Sequence, residues 1–138
     1  MDKALNYLSL ARKGGMAELG EEPVGAITRT DKGYLVIVAG DASDHTWRRA
    51  KSFVAGTDQQ CVRLPYPKSE MGLATGRQEL AIAAITDAGM ALTLVSALDE
   101  PEKHKAVAEV LQAKADRAKK RQAENKAHQR NLRKGKKK

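Results

Sequence analysis

The stretch Leu35-Val36-Ile37-Val38-Ala39-Gly40-Asp41-Ala42-Ser43-Asp44 joins an unbroken apolar run to a glycine and a group of helix-capping side chains. A run without polar alternation, rich in β-branched residues and bounded by turn formers, is the pattern of a strand covered on both faces, and it marks the centre of a sheet. Directly after it, the oxygens of Asp41, Ser43 and Asp44 can accept from the free N–H groups of a helix start. The spacing of Trp47, Ala50, Phe53 and Val54 then predicts a helix that closes at Gly56. A covered strand leading straight into a helix implies an α/β chain.

Working outward, Leu5, Leu8, Leu10 and Ala11 fall at helical spacing, and Gly14-Gly15 ends that segment. Met16, Glu18 and Leu19 alternate. In Gly20-Glu21-Glu22-Pro23 the acidic pair and the proline suit the start of a helix that runs through Ala26 and Ile27. On the other side, Cys61 to Leu64 reads as a shorter strand broken by Pro65-Tyr66-Pro67, and Ser69 to Thr75 as a short helix ending at Gly76. Leu80 to Thr86 is a second buried apolar run, and Asp87 can cap a helix carrying Ala88, Ala91, Leu92, Val95 and Leu98 along one stripe. Strands separated by helices of this length predict a three-layer α/β/α arrangement.

The chain has 138 residues and a net charge of +8, and the charge is unevenly placed. Residues 1–100 hold 11 basic and 13 acidic side chains, a net −2, whereas residues 101–138 hold 14 basic and 4 acidic, a net +10. Pro101 therefore separates an α/β body, residues 1–100, from a basic tail, residues 101–138. Val107, Val110 and Leu111 form one apolar patch able to dock a helix. Beyond Leu111 the tail is Ala, Lys, Arg and Gln, with nothing left to bury, so a frayed helix or disordered arm is expected through Arg130, Arg133 and Lys134 to Lys136-Lys137-Lys138. Charge this one-sided is the electrostatic footprint of a phosphate-backbone binder, and after Leu111 the tail has no Trp, Phe or Leu face suited to a membrane surface beyond the single Leu132.

Enzymatic readings find little to rest on. Asp41, Ser43, Asp44 and His45 sit within one loop, where they cannot line up as nucleophile, base and orienter, and capping already uses them. His45, His104 and His128 are too dispersed to hold a metal, and no glycine-rich phosphate loop is present. No cofactor, metal or small-molecule substrate is expected. The single cysteine, Cys61, excludes an internal disulfide and reads as a small core residue in a reducing compartment. No apolar run reaches membrane-spanning length and the N-terminus lacks a signal-peptide pattern, so the expected location is the cytoplasm, with no membrane partner. Aromatic residues at 4% argue against a base-stacking platform.

Three stretches in register carry a family resemblance: Leu8-Ser9-Leu10-Ala11-Arg12-Lys13-Gly14-Gly15 with Gly20-Glu21-Glu22; Leu35 to Ser43; and Met71-Gly72-Leu73-Ala74-Thr75-Gly76-Arg77-Gln78-Glu79 running into Ala83 to Gly89. Together they resemble the kink-turn RNA-binding ribosomal proteins of the L-seven-Ae and L-thirty-e type, in particular the small bacterial YlxQ branch. The resemblance implies an α/β/α sandwich with a four-stranded mixed sheet, and a non-enzymatic, ribosome-associated protein that recognises bent or internal-loop RNA, ribosomal RNA above all. It places RNA at one end of the sandwich, on Gly20, Glu21 and Glu22 and on Gly76, Arg77, Gln78, Glu79 and Leu80. Free N–H groups at a helix start can hold phosphate, carboxylates can accept from guanine edges, and an apolar loop residue can support an unstacked base.

Arg12 and Lys13 are candidates for further phosphate contacts, or are solvated cations at a helix C-terminus. Leu80 either supports a base or begins the buried strand, and Glu22 can serve simply as a helix-dipole partner. Lys119, Lys120 and Arg121 of the tail are expected to add phosphate contacts. Three departures stand out. Gly25, Ala26 and Ile27 occupy the stretch where the family usually carries a lysine, Glu18-Leu19 precede Gly20 where a basic residue is common, and Glu21 stands where kink-turn binders often have asparagine. They leave open an alternative in which the same fold serves protein interaction.

Overall fold

A computed structural model describes residues 2–136, with side-chain surroundings given through residue 130; Lys137 and Lys138 of the basic run lie outside the described residues. In chain order the elements are α1 (Lys3–Lys13), β1 (Ala17–Leu19), α2 (Glu21–Arg29), β2 (Leu35–Val38), α3 (Asp44–Val54), β3 (Gln60–Arg63), α4 (Lys68–Thr75), β4 (Ile82–Ile85), α5 (Ala88–Ser96) and α6 (Lys105–Lys136).

The expected sheet is present, four-stranded and mixed, in the order β1-β4-β2-β3. β2 lies parallel to β3, with Leu35 opposite Gln60, and antiparallel to β4, with Leu35 opposite Ile85 and Val38 opposite Ile82. Every residue of β2 and β4 is buried, as two unbroken apolar runs at the sheet centre require. α2 and α3 form one helical layer, and α4, α1, α5 and α6 the other. Leu8, Val24, Ile37, Met71, Ile85 and Leu94 are among the side chains wholly withdrawn from solvent between the layers.

Capping follows the sequence reading with one change. Ser43 accepts from the N–H of Thr46 at 3.2 Å and caps α3. Asp87 accepts from Met90 at 2.8 Å and caps α5. Asp41, however, accepts from the N–H of Lys68 at 2.8 Å, so it caps the start of α4, 27 residues on. Asp41 and Ser43 of that loop are thereby committed to capping.

The tail departs from expectation more clearly. α6 is one helix of 32 residues, and it buries more than the Val107–Leu111 patch. Leu111 is fully buried, and one turn later Ala115 is 4% exposed. An alanine offers little apolar area, yet it lets the helix backbone approach the body closely, and the Ala/Lys/Arg/Gln composition favours helix throughout. The polar side of this docking is an ion pair between Lys114 and Asp58 at 2.8 Å, with the Lys114 ammonium 5.2 Å from the centre of the Tyr34 ring.

Candidate nucleic-acid interface

The loops before α2 and after α4 meet at one end of the sandwich. Gly20 has φ 98° and ψ 163°, open only to glycine without strain, and this turns the chain out of β1 into α2. Its N–H donates to Ile82 O at 3.0 Å, which pins the corner to the start of β4. With glycine at the N-cap, no side chain covers the first-turn N–H groups of α2. The donors left there are the N–H groups of Glu21 and Glu22, since Pro23 carries none and Val24 donates to Gly20 O at 3.1 Å; with the positive end of the helix dipole behind them they can seat an anion.

The second loop is held as firmly. Gly76 closes α4 in the left-handed region at φ 74°, and the N–H of Arg77 donates to Gly72 O at 2.8 Å. The loop lies so close on α4 that a Cβ on Gly72 would sit 2.7 Å from the backbone of Gln78 and Glu79. Gly76, Arg77, Gln78 and Glu79 are exposed, and the last three line a shallow hollow with Ser69.

Two arginines lie between the loops. A Cβ on Gly20 would lie 3.7 Å from Arg77 Nη1, and one on Gly76 would lie 3.6 Å from Arg12 Nη2. Arg77 thus reaches across from the α4 loop to the α2 corner, while Arg12, at the end of α1, reaches to the α4 loop. The result is an exposed surface with two guanidinium groups, uncapped helix N–H groups and the carboxylates of Glu21 and Glu22. Guanidinium forks match phosphate oxygens, and the carboxylates can accept from base donors.

Leu80 does not join this surface. It is 3% exposed, belongs to the core, and donates its N–H to Lys68 O, so of its two readings the start of the buried run is the one seen. Lys13 is exposed beside Arg12. Lys119, Lys120 and Arg121 are not brought to this end. Gly20 is tied to the Val38/Ile82 end of the central strands, whereas Lys114 meets Tyr34 and Asp58, which flank the Leu35/Gln60 end. The tail residues that follow Lys114 therefore lie at the opposite pole.

One residue escaped the sequence reading. Arg49, on α3, donates from Nε to Glu21 Oε1 at 2.7 Å and lies 5.0 Å from the centre of the Phe53 ring. Phe53 in turn sits where a Cβ on Gly25 would be 3.1 Å away. The Gly25 stretch of α2, where the resemblance leads one to expect a lysine, is thus packed against Phe53 of the neighbouring helix, and the cation beside the start of α2 comes from α3. No local pattern announces this, since Arg49 and Glu21 are 28 residues apart.

A protein named RNA-binding protein YlxQ, from Enterococcus faecium, is 32% identical to this chain over 89 residues, covering 64% of this chain and 84% of the relative. The chain belongs to the YlxQ family, of the L-seven-Ae type. No protein-family model matches it. Among solved structures, a protein of unknown function from Bacillus halodurans is similar at 26% identity with a TM-score of 0.67, over 72% of this chain and all of that one. The Giardia lamblia 15.5 kD RNA binding protein shares the fold at 18% identity with a TM-score of 0.54, over 75% of this chain and 85% of that one.

Proposed function

We propose that this protein binds structured RNA without catalysing a reaction, and that it does so in the cytoplasm on ribosomal RNA, at a bend or internal loop. The reading rests on one observation above others: with Arg77 lying against Gly20 and Arg12 against Gly76, two loops and one uncapped helix start form a single surface. Such a surface presents backbone and guanidinium donors to phosphates that converge at a bend, and a straight duplex does not bring phosphates together in that way. The name of the Enterococcus faecium relative supports RNA as the ligand class.

The test is a competition between an internal-loop RNA and a fully paired RNA of the same length. The wild-type chain prefers the first, and Arg12→Gln with Arg77→Gln removes most of that preference. An unchanged preference in the double variant would sink the assignment of this surface. Partners retained from lysate after ribonuclease treatment would favour the protein-interaction alternative.

A further inference from the structure

Six cations on the outer half of α6 form two groups by helical spacing, with Lys120 on neither face. Lys114, Arg117 and Arg121 recur at three and four residues on one face. With Asp31, Asp58 and Tyr34 they line a hollow between the helix and the body. This face is answered by the body's own carboxylates: Lys114 pairs with Asp58, and the charge of Arg117 also acts on that carboxylate. Lys119, Lys126 and Arg130 recur at seven and four residues on another face, and all three are exposed.

We propose that the face of α6 carrying Lys119, Lys126 and Arg130 grips the backbone of a double-helical RNA segment, separate from the RNA held at the loop pole. The proposal rests on the RNA-binding reading of the protein as a whole. From Lys114 to Arg130 the helix extends about 24 Å, enough to pass several phosphates. It leaves the body at the Leu35/Gln60 end, the full length of the central strands away from Gly20 and Arg77. Residues 105–138 contain no Phe, Tyr or Trp, so the helix offers no large aromatic platform for unpaired bases and is suited to reading charge instead of sequence. The ion pair at Asp58 sets its direction of exit, and the two poles then bridge two RNA segments.

An immobilised internal-loop hairpin is saturated with the full chain and offered a labelled plain duplex of about 20 base pairs, longer than the ~16 a duplex-binding domain spans. Wild type captures the duplex with no sequence preference. The variant K119Q/K126Q/R130Q, in which glutamine keeps helix propensity, stays on the hairpin and loses about tenfold or more in duplex capture. Its salt slope for the duplex falls by about 2.7, from three lost contacts at ~0.9 each. No capture by wild type, or equal capture by the variant, overturns the proposal. If the chain is not retained on the hairpin, the loop-pole reading fails instead, and duplex affinity measured directly in solution, wild type against variant, still decides the role of α6.

Discussion

Arg49 Nε stands 2.7 Å from Glu21 Oε1, so the first acidic residue of α2 is held by a cation from the neighbouring helix. The two side chains are 49% and 41% exposed, and pairs this open contribute only about 0–1 kcal/mol to stability. Their effect on an RNA ligand is larger, because each residue sets the charge a phosphate meets. Arg49→Ala is expected to weaken internal-loop RNA binding and lower its salt slope by about 1. Glu21→Gln frees the guanidinium and strengthens binding. Filter binding at fixed salt checks both, and weakening by Glu21→Gln would mean that the carboxylate touches RNA itself.

Gly72 carries the opposite sign from an ordinary helical glycine. Replacing glycine with alanine inside a helix normally stabilises by about 1 kcal/mol. Here the added Cβ would fall 2.7 Å from Gln78 C, Gln78 O and Glu79 N, all backbone atoms, so the 76–79 loop must shift. Gly72→Ala is expected to lower thermal stability, by about 1–3 kcal/mol from overpacking, and to lose RNA preference as Arg77 leaves Gly20. A raised midpoint in a melting experiment would contradict the close approach.

The docking of α6 is expected to be acid-sensitive. The hydrogen bond from Lys114 holds the Asp58 carboxyl below its ordinary value of 3.8. A carboxyl depressed in the folded state contributes stability above its unfolded value and loses it as pH falls through the folded value. Wild type and Asp58→Asn therefore differ in melting temperature near neutrality and converge below about pH 4. Nearly two-thirds of the Asp58 side chain is open to water, at 61%, so the difference is small and shrinks with salt. A gap that persists at low pH would show that the residue acts through shape and not through charge.

What the sequence makes legible follows from how local the cause is. Unbroken apolar runs at Leu35–Val38 and Ile82–Ile85, and capping residues at Ser43 and Asp87, announce themselves within a few positions. Gly20 and Gly76 are likewise visible, because their turns need glycine where they stand. What stays hidden depends on packing between distant segments. Asp41 reaches α4 in place of α3, Arg49 reaches Glu21, and Lys114 reaches Asp58 56 residues away. The burial of Ala115 is invisible for a related reason: alanine shows no hydrophobic periodicity of its own, and only the body behind it makes it a contact.

Cys61 gives a reading of how tightly the edge of the sheet is closed. It lies in β3, paired with Val36, and withdrawal from water pushes its thiol up to about 12 despite the nearby charge of Lys51. Alkylation requires the thiolate, so at about pH 8 the folded chain is expected to react with iodoacetamide at least about tenfold more slowly than the unfolded chain, whose thiol titrates near ~8.5. Mass spectrometry of the alkylated fraction over time measures this directly. Among the described residues β3 pairs with β2 alone, so a native rate close to the unfolded one would show that this edge strand opens, and with it the Asp58 end on which α6 is anchored.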